Sequence, residues 1–141
     1  MVREVLAVGV VRKFALRPFS GSMLAVMSST QNLDRFINGE VSIAAVNAPG
    51  FAGLSGPDSA VKRVEEVLGK EQVLSRRLHT SHAFHSRMMD PILDEFEDVV
   101  SRVKLSLPAK RFVSTLTGRW AGEDVTRPDY WSRQLRHTVR F

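Results

Sequence analysis

Between residues 22 and 78 the apolar positions switch repeatedly between two periods, and this alternation restricts the possible folds more than any other property of the chain. Residues 23–27 (Met-Leu-Ala-Val-Met) read as a strand. Ser28, Ser29 and Thr30 then offer caps for a helix carrying Leu33, Phe36 and Ile37 on one face. Asn38 and Gly39 stop that helix. Val41, Ile43 and Ala45 alternate as a second strand, ended by Asn47-Ala48-Pro49-Gly50, where proline fixes φ and glycine permits a positive one. Residues 51–55 form a third strand, a weak one, because Ala52 and Gly53 bring little to pack. Pro57, Asp58 and Ser59 open a second helix with Val61, Val64, Val67 and Leu68 at helical spacing, and residues 73–78 close the series as a fourth strand.

The order strand, helix, strand, strand, helix, strand predicts an α+β unit of ferredoxin-like βαββαβ form, with two helices on one face of a four-stranded sheet. The rest of the chain differs in kind. Ile92, Leu93, Phe96, Val99, Val100 and Val103 make a helical stripe from Pro91 to Leu105, with Asp90, Asp94 and Glu95 near its positive end. Residues 112–116 suit a strand, a turn falls at Gly118, and Tyr130, Trp131, Leu135 and Val139 mark an amphipathic ending. These pieces show apolar faces without evident partners in the chain, so they are expected to belong to a second unit that is mostly absent. Residues 1–20 read as an irregular leader.

At 141 residues the chain has room for one ordinary domain, or a small one plus part of another. Its 43% apolar and 25% charged content exclude wholesale disorder. With no cysteine, disulfides, a thiol nucleophile and thiolate metal sites are excluded. The formal charge of +5 comes from arginines scattered among aromatic and acidic residues, not from a basic run, so no nucleic-acid partner is expected. The apolar run at residues 5–11 is too short to span a bilayer and precedes no cleavage pattern, which predicts a soluble, cytoplasmic protein without a membrane anchor.

Three of the four histidines, His79, His82 and His85, lie just ahead of the third helical stripe. Histidine exchanges its proton near neutral pH, so three readings compete here. The residues decorate or cap a solvated loop, they ligate a metal, or one of them is a general base. Metal binding suffers from the lack of cysteine and from having only Asp90 as a nearby carboxylate. A base needs a nucleophile and an orienting group, which spacing alone does not locate.

The segment Leu78-His79-Thr80-Ser81-His82-Ala83-Phe84-His85-Ser86 resembles the His-Ala-Phe-His region of polyketide synthase acyltransferase domains. The resemblance runs through Gly21-Ser22-Met23-Leu24-Ala25-Val26, Val41-Ser42-Ile43-Ala44-Ala45-Val46-Asn47-Ala48-Pro49, Ser55-Gly56-Pro57, Met88-Met89-Asp90-Pro91, Tyr130-Trp131 and Val139-Arg140-Phe141. It implies that residues 21–80 are the small ferredoxin-like subdomain. Residues 81–141 would then be the carboxyl-terminal segment of an α/β-hydrolase-like large subdomain. It further implies a ping-pong transfer of malonyl units from malonyl-CoA to the phosphopantetheine of an acyl carrier protein through an acyl-serine, with no cofactor or metal bound to the chain itself. On that basis His85 is the catalytic base and Gln134 supplies the backbone carbonyl that orients it. His82, Ala83 and Phe84 are specificity residues, the phenyl ring leaving less room for a methyl branch on the substrate. Asn47 and Arg12 are implied as substrate contacts.

The family's nucleophile sits in a Gly-x-Ser-x-Gly elbow, and no such motif occurs in these residues; Gly53-Leu54-Ser55-Gly56 has the wrong spacing. Thr138 stands where the family commonly has proline. The expectation is a carboxyl-terminal acyltransferase fragment, inactive alone, whose partners are an acyl carrier protein and the remainder of the synthase. The alternative is a non-catalytic ferredoxin-like module that binds a carrier protein or complements a split acyltransferase.

Overall fold

The structure, a computed structural model, describes residues 21–80 and 82–141; Arg12 and Ser81 lie outside the described residues. In chain order the first half contains β1 (Gly21–Val26), α1 (Thr30–Leu33) continued by a 3-10 turn (Asp34–Phe36), β2 (Ser42–Ala48), β3 (Phe51–Pro57), α2 (Asp58–Lys70) and β4 (Ser75–Leu78). The second half contains a 3-10 turn (Arg87–Ile92), α3 (Leu93–Ser101), β5 (Val113–Ser114), β6 (Arg119–Trp120), another 3-10 turn (Glu123–Thr126), α4 (Pro128–Arg136) and β7 (Val139–Arg140). The main sheet runs β4-β1-β3-β2-β7. Its first four strands are antiparallel to their neighbours, and β7 joins β2 in parallel, pairing Ala45 with Val139 and Val46 with Arg140.

One apolar core fills the space between the sheet and its two helices. Leu24, Val26, Ala52 and Leu54 from the strands meet Leu33, Val61, Val64 and Leu68 from α1 and α2, all essentially without solvent contact. The spacing of the α2 residues keeps them on one stripe, and Asp58 in the first turn and Lys70 in the last suit the helix dipole. A half-buried polar relay ties its start to the sheet. The Ser22 hydroxyl donates to the Asp58 carboxylate and accepts from Arg77 at 3.2 Å, while Arg77 Nε donates to Glu65 at 2.8 Å.

The third strand is far from weak. It is paired on both edges, and residues 52–56 are all buried. Small side chains serve close approach here: a Cβ on Gly56 would lie 2.7 Å from the Glu40 carbonyl oxygen, so only glycine lets the loop before β2 lie against β3. The fourth strand starts at Ser75, two residues later than its apolar pattern suggests, because Val73 turns inward to pack on the core. The first helix is also shorter than its stripe implies. The Asn38 side chain accepts from the backbone of Glu40 at 3.1 Å and Val41 at 3.3 Å, and Gly39 has φ +90°, so an Asx turn displaces the last helical turn.

Beyond residue 82 the expected helix over Pro91 to Leu105 is a 3-10 turn followed by nine helical residues. Proline lacks an N–H, so it sits inside the 3-10 turn. At the far end Ser101 Oγ bonds back to the Asp98 carbonyl at 2.7 Å, and the helix stops there, leaving Val103 and Leu105 in irregular chain. The expected strand over residues 112–116 shrinks to two residues paired with β6. Several apolar side chains do find partners inside the chain. Phe96, Val125 and Tyr130 are buried, Trp131 Nε1 donates to the Val125 carbonyl at 3.0 Å, and Ser132 Oγ donates to Glu97 at 3.0 Å across the α3 and α4 contact. Leu107, Phe112, Val113, Trp120 and Phe141 remain exposed.

Candidate active site

The histidine loop between β4 and the 3-10 turn is shaped by two small residues. Ser86 is fully buried; its hydroxyl donates to the Ala83 carbonyl at 2.7 Å and accepts from the Met88 N–H at 3.2 Å, which caps the 3-10 turn. Gly21 at the start of β1 makes room for the loop, since a Cβ there would lie 2.6 Å from the Ala83 Cβ and 2.8 Å from Met88 Sδ. Between these anchors His85 adopts φ 57°, the left-handed region that L-residues other than glycine enter at a cost of about 1–2 kcal/mol.

What holds His85 there is the end of α4. The last carbonyls of a helix have no intrahelical donor. Two of them turn to His85: the Leu135 carbonyl accepts its backbone N–H at 3.2 Å, and the Gln134 carbonyl lies 3.1 Å from its ring Nδ1. A carbonyl only accepts, so Nδ1 carries the hydrogen and Nε2 keeps a lone pair. Burial pushes the His85 pKa below the ordinary histidine value, outweighing hydrogen bonds to the backbone of Gln134 and His137 that pull the other way. The ring is therefore neutral near pH 7, the form in which a base accepts a proton.

His85 lines a cavity of about 280 Å³ whose wall also contains Asp34, Ile37, Ser42 and Ile43 from the first half and Arg136, His137 and Thr138 from the second. Thr138 Oγ1 donates to the Ile43 carbonyl at 2.6 Å and joins the two sides. His137 also has a lowered pKa, first through burial and then through the positive charges of Arg136 and Arg133, with Asp90 opposing them.

The structure thus brings His85 and Gln134 together through the backbone, while the Gln134 amide points elsewhere and donates to Thr115 Oγ1 at 3.4 Å. The three histidines do not converge. His79 is exposed after β4, and His82 faces Phe84 with ring centroids 6.0 Å apart. Ala83 is buried against Gly21, and Phe84 packs on the small cluster of Met89 and Ile92, beside Leu135. None of His82, Ala83 and Phe84 is among the residues of the cavity wall. Asn47 is half-buried on β2, next to the Val46 carbonyl that accepts the Phe141 N–H at 3.1 Å, and does not line the cavity either. Among the described residues, no three potential metal ligands are gathered, and no helix is long and apolar enough to cross a membrane. Sequence reasoning missed Asp34, Arg136 and His137. The available signal for Arg136 and His137 was the end of α4, where Arg133 and Arg136 share the last turn with carbonyls that need donors, while Asp34 had none.

Residues 5–141 match the acyl transferase domain family. The chain is 38% identical over 124 residues to mycoketide-CoA synthase of Mycobacterium tuberculosis, and 42% identical over 128 residues to polyketide synthase GfsB of Streptomyces halstedii. These alignments cover 88% and 86% of the chain but only 3% and 2% of those synthases. Among solved structures, the acyltransferase domain from the second module of the salinomycin synthase superposes with a TM-score of 0.84 at 33% identity. The acyl transferase domain of SpnD, in complex with 2-(pent-4-yn-1-yl)malonyl, gives 0.86 at 32%. Each superposition covers 96% of the chain, which spans 32% and 34% of the two domains. With the mixed α/β architecture and the family match agreeing over most of its length, the chain belongs to the acyltransferase domains of modular polyketide synthases.

Proposed function

We propose that His85 is the general base of an acyl transfer that moves malonyl units from malonyl-CoA to an acyl carrier protein. The observation that carries this reading is the 3.1 Å bond from Nδ1–H to the Gln134 carbonyl, which leaves Nε2 unprotonated on a histidine that lines a cavity. A serine hydroxyl placed about 2.6–3.2 Å from Nε2 would give up its proton as it attacks the thioester carbonyl. The imidazolium then returns that proton to the departing thiol, and the acyl-serine is attacked in turn by the phosphopantetheine thiol of the carrier. Gln134 serves through its carbonyl, which fixes the tautomer and stabilises the imidazolium once formed.

The chain contains no Gly-x-Ser-x-Gly segment, so the attacking hydroxyl must come from polypeptide outside these residues, and the chain alone is inactive in this proposal. Residues 21–80 act as a ferredoxin-like small subdomain, a reading supported by the strand order β4-β1-β3-β2 and by two helices sharing one core. Phe84, which packs with Met89 and Ile92 in the loop that carries His85, favours malonyl over branched substrates through the room its ring takes up. One methyl discriminates by only ~1–3 kcal/mol, so the preference is modest.

Intact mass spectrometry tests the proposal. Incubation of the chain with malonyl-CoA should give no covalent adduct, and addition of a family fragment carrying the serine elbow should restore malonyl loading on that serine and transfer to an acyl carrier protein. Loading that persists at full rate with His85→Ala would remove the base assignment.

A further inference from the structure

The His85 loop and the last turn of α4 are joined at a third point besides the two backbone carbonyls. Arg136 Nε donates to the Asp90 carboxylate, an ion pair between residues 46 positions apart. Arg136 is the final residue of α4, directly after the carbonyls that hold His85, and its side chain is only 20% exposed. Asp90 lies in the 3-10 turn that starts at the Ser86 cap. We infer that Asp90 and Arg136 are a pair of positioning residues that locks the histidine loop onto the end of α4 and so fixes the tautomer and aim of the His85 ring. This rests on the reading of His85 as the base.

The physical reason is strain. His85 is held at φ 57° by neighbours, and a left-handed non-glycine residue relaxes when the contacts that determine it are loosened. The two backbone bonds, at 3.1 and 3.2 Å, reach only the residue itself. The ion pair clamps the adjoining 3-10 turn, so the loop cannot swing away from the helix end. Asp34 and His137 are further titratable groups in the cavity wall, and Arg133 acts on His137.

Ring 15N NMR of the intact 141-residue chain separates positioning from plain electrostatics. Loss of the Asp90 charge alone would lower the His85 pKa, and loss of the Arg136 charge alone would raise it. Loosening of the clamp instead exposes the ring in either case. Asp90→Asn and Arg136→Gln should therefore both raise the His85 pKa toward the ordinary value and convert much of the Nδ1–H population to Nε2–H. The swap of Asp90→Arg with Arg136→Asp should restore the wild-type tautomer. In the complemented transfer assay both single variants should lose roughly tenfold in kcat with KM little changed. Shifts of opposite sign, an unchanged tautomer in both single variants, or a swap that does not restore the folded Nδ1–H state would overturn the inference. Should a single variant fail to fold by circular dichroism, the swap decides. These failures leave the base assignment intact, since that assignment stands or falls on His85→Ala.

Discussion

In the half of the molecule that ends with β4, ten buried apolar side chains form one cluster between a sheet and two helices; in the half after it, the corresponding loop cluster is built on two, Met89 and Ile92. The second half adds directed bonds to the burial of Phe96, Val125 and Tyr130. The His85 N–H and ring N–H take the open carbonyls of α4, and Ser86 closes its own turn. Ser114 receives the backbone N–H groups of Leu116 and Thr117 at 3.2 and 3.3 Å while sharing a 2.7 Å hydrogen bond with Tyr130. Close-packed apolar side chains set the spacing of whole layers, whereas hydrogen bonds between named atoms set the direction of individual groups. In the half that places the His85 ring, directed bonds set where that ring sits.

The largest effect should come from the apolar half. Leu54 is fully buried in the central strand, and Leu54→Ala should lower stability by about 2–5 kcal/mol in urea unfolding. A loss near zero would mean that the sheet core is looser than its burial implies. Gly21→Ala probes the seam between the halves. The added methyl meets Ala83, which has no rotamer to yield, so a loss of about 1–3 kcal/mol is expected, with a displaced His85 ring resonance. If stability falls while the His85 resonance stays put, β1 rather than the histidine loop has given way.

Acid should weaken the second half selectively. The folded pKa of His85 lies below the unfolded value of about 6.5, so between those two values the unfolded chain binds more protons. The contribution is fully present above about pH 6.5 and is lost as the pH falls toward the folded pKa, with a slope of at most about 1.4 kcal/mol per pH unit. Urea titrations across this range should lose that slope in His85→Asn; a slope that persists points to His137 instead. Smallest of all, Trp120→Ala should change stability by no more than about 0.5 kcal/mol, because Trp120 is 60% exposed and its ring faces the equally surface-lying Arg111 guanidinium at 4.4 Å. A larger loss would show that the β5 and β6 hairpin supports the fold.

The same contrast explains how far the sequence was legible. The order of elements through residue 78 was readable because each buries one face, and burial on one face leaves a period: Val61, Val64 and Leu68 mark α2 without help from the rest of the chain. The centrality of β3 was not, because Gly56 works by letting backbones approach, which no apolar scale registers. β7 has two residues and no period at all; its place beside β2 depends on chain nearly a hundred residues away. The His85 and Gln134 pair came from the resemblance to acyltransferases, not from spacing. The Asp90 and Arg136 pair had no local signature, since opposite charges far apart in sequence are common and only the fold selects which of them meet.

The seam at β7 has a consequence for how such a chain reaches its final shape. Until residues 138–141 arrive, the outer edge of β2 offers the Ile43 and Val46 carbonyls to any passing strand; afterwards they are occupied by Thr138 and Phe141. A polypeptide stopped a few residues short would keep its apolar core and still present an open, sticky rim. Those few residues cap the β2 rim with a strand of only two residues, too short to serve as much of a template, and in the same movement they place Thr138 in the wall beside His85.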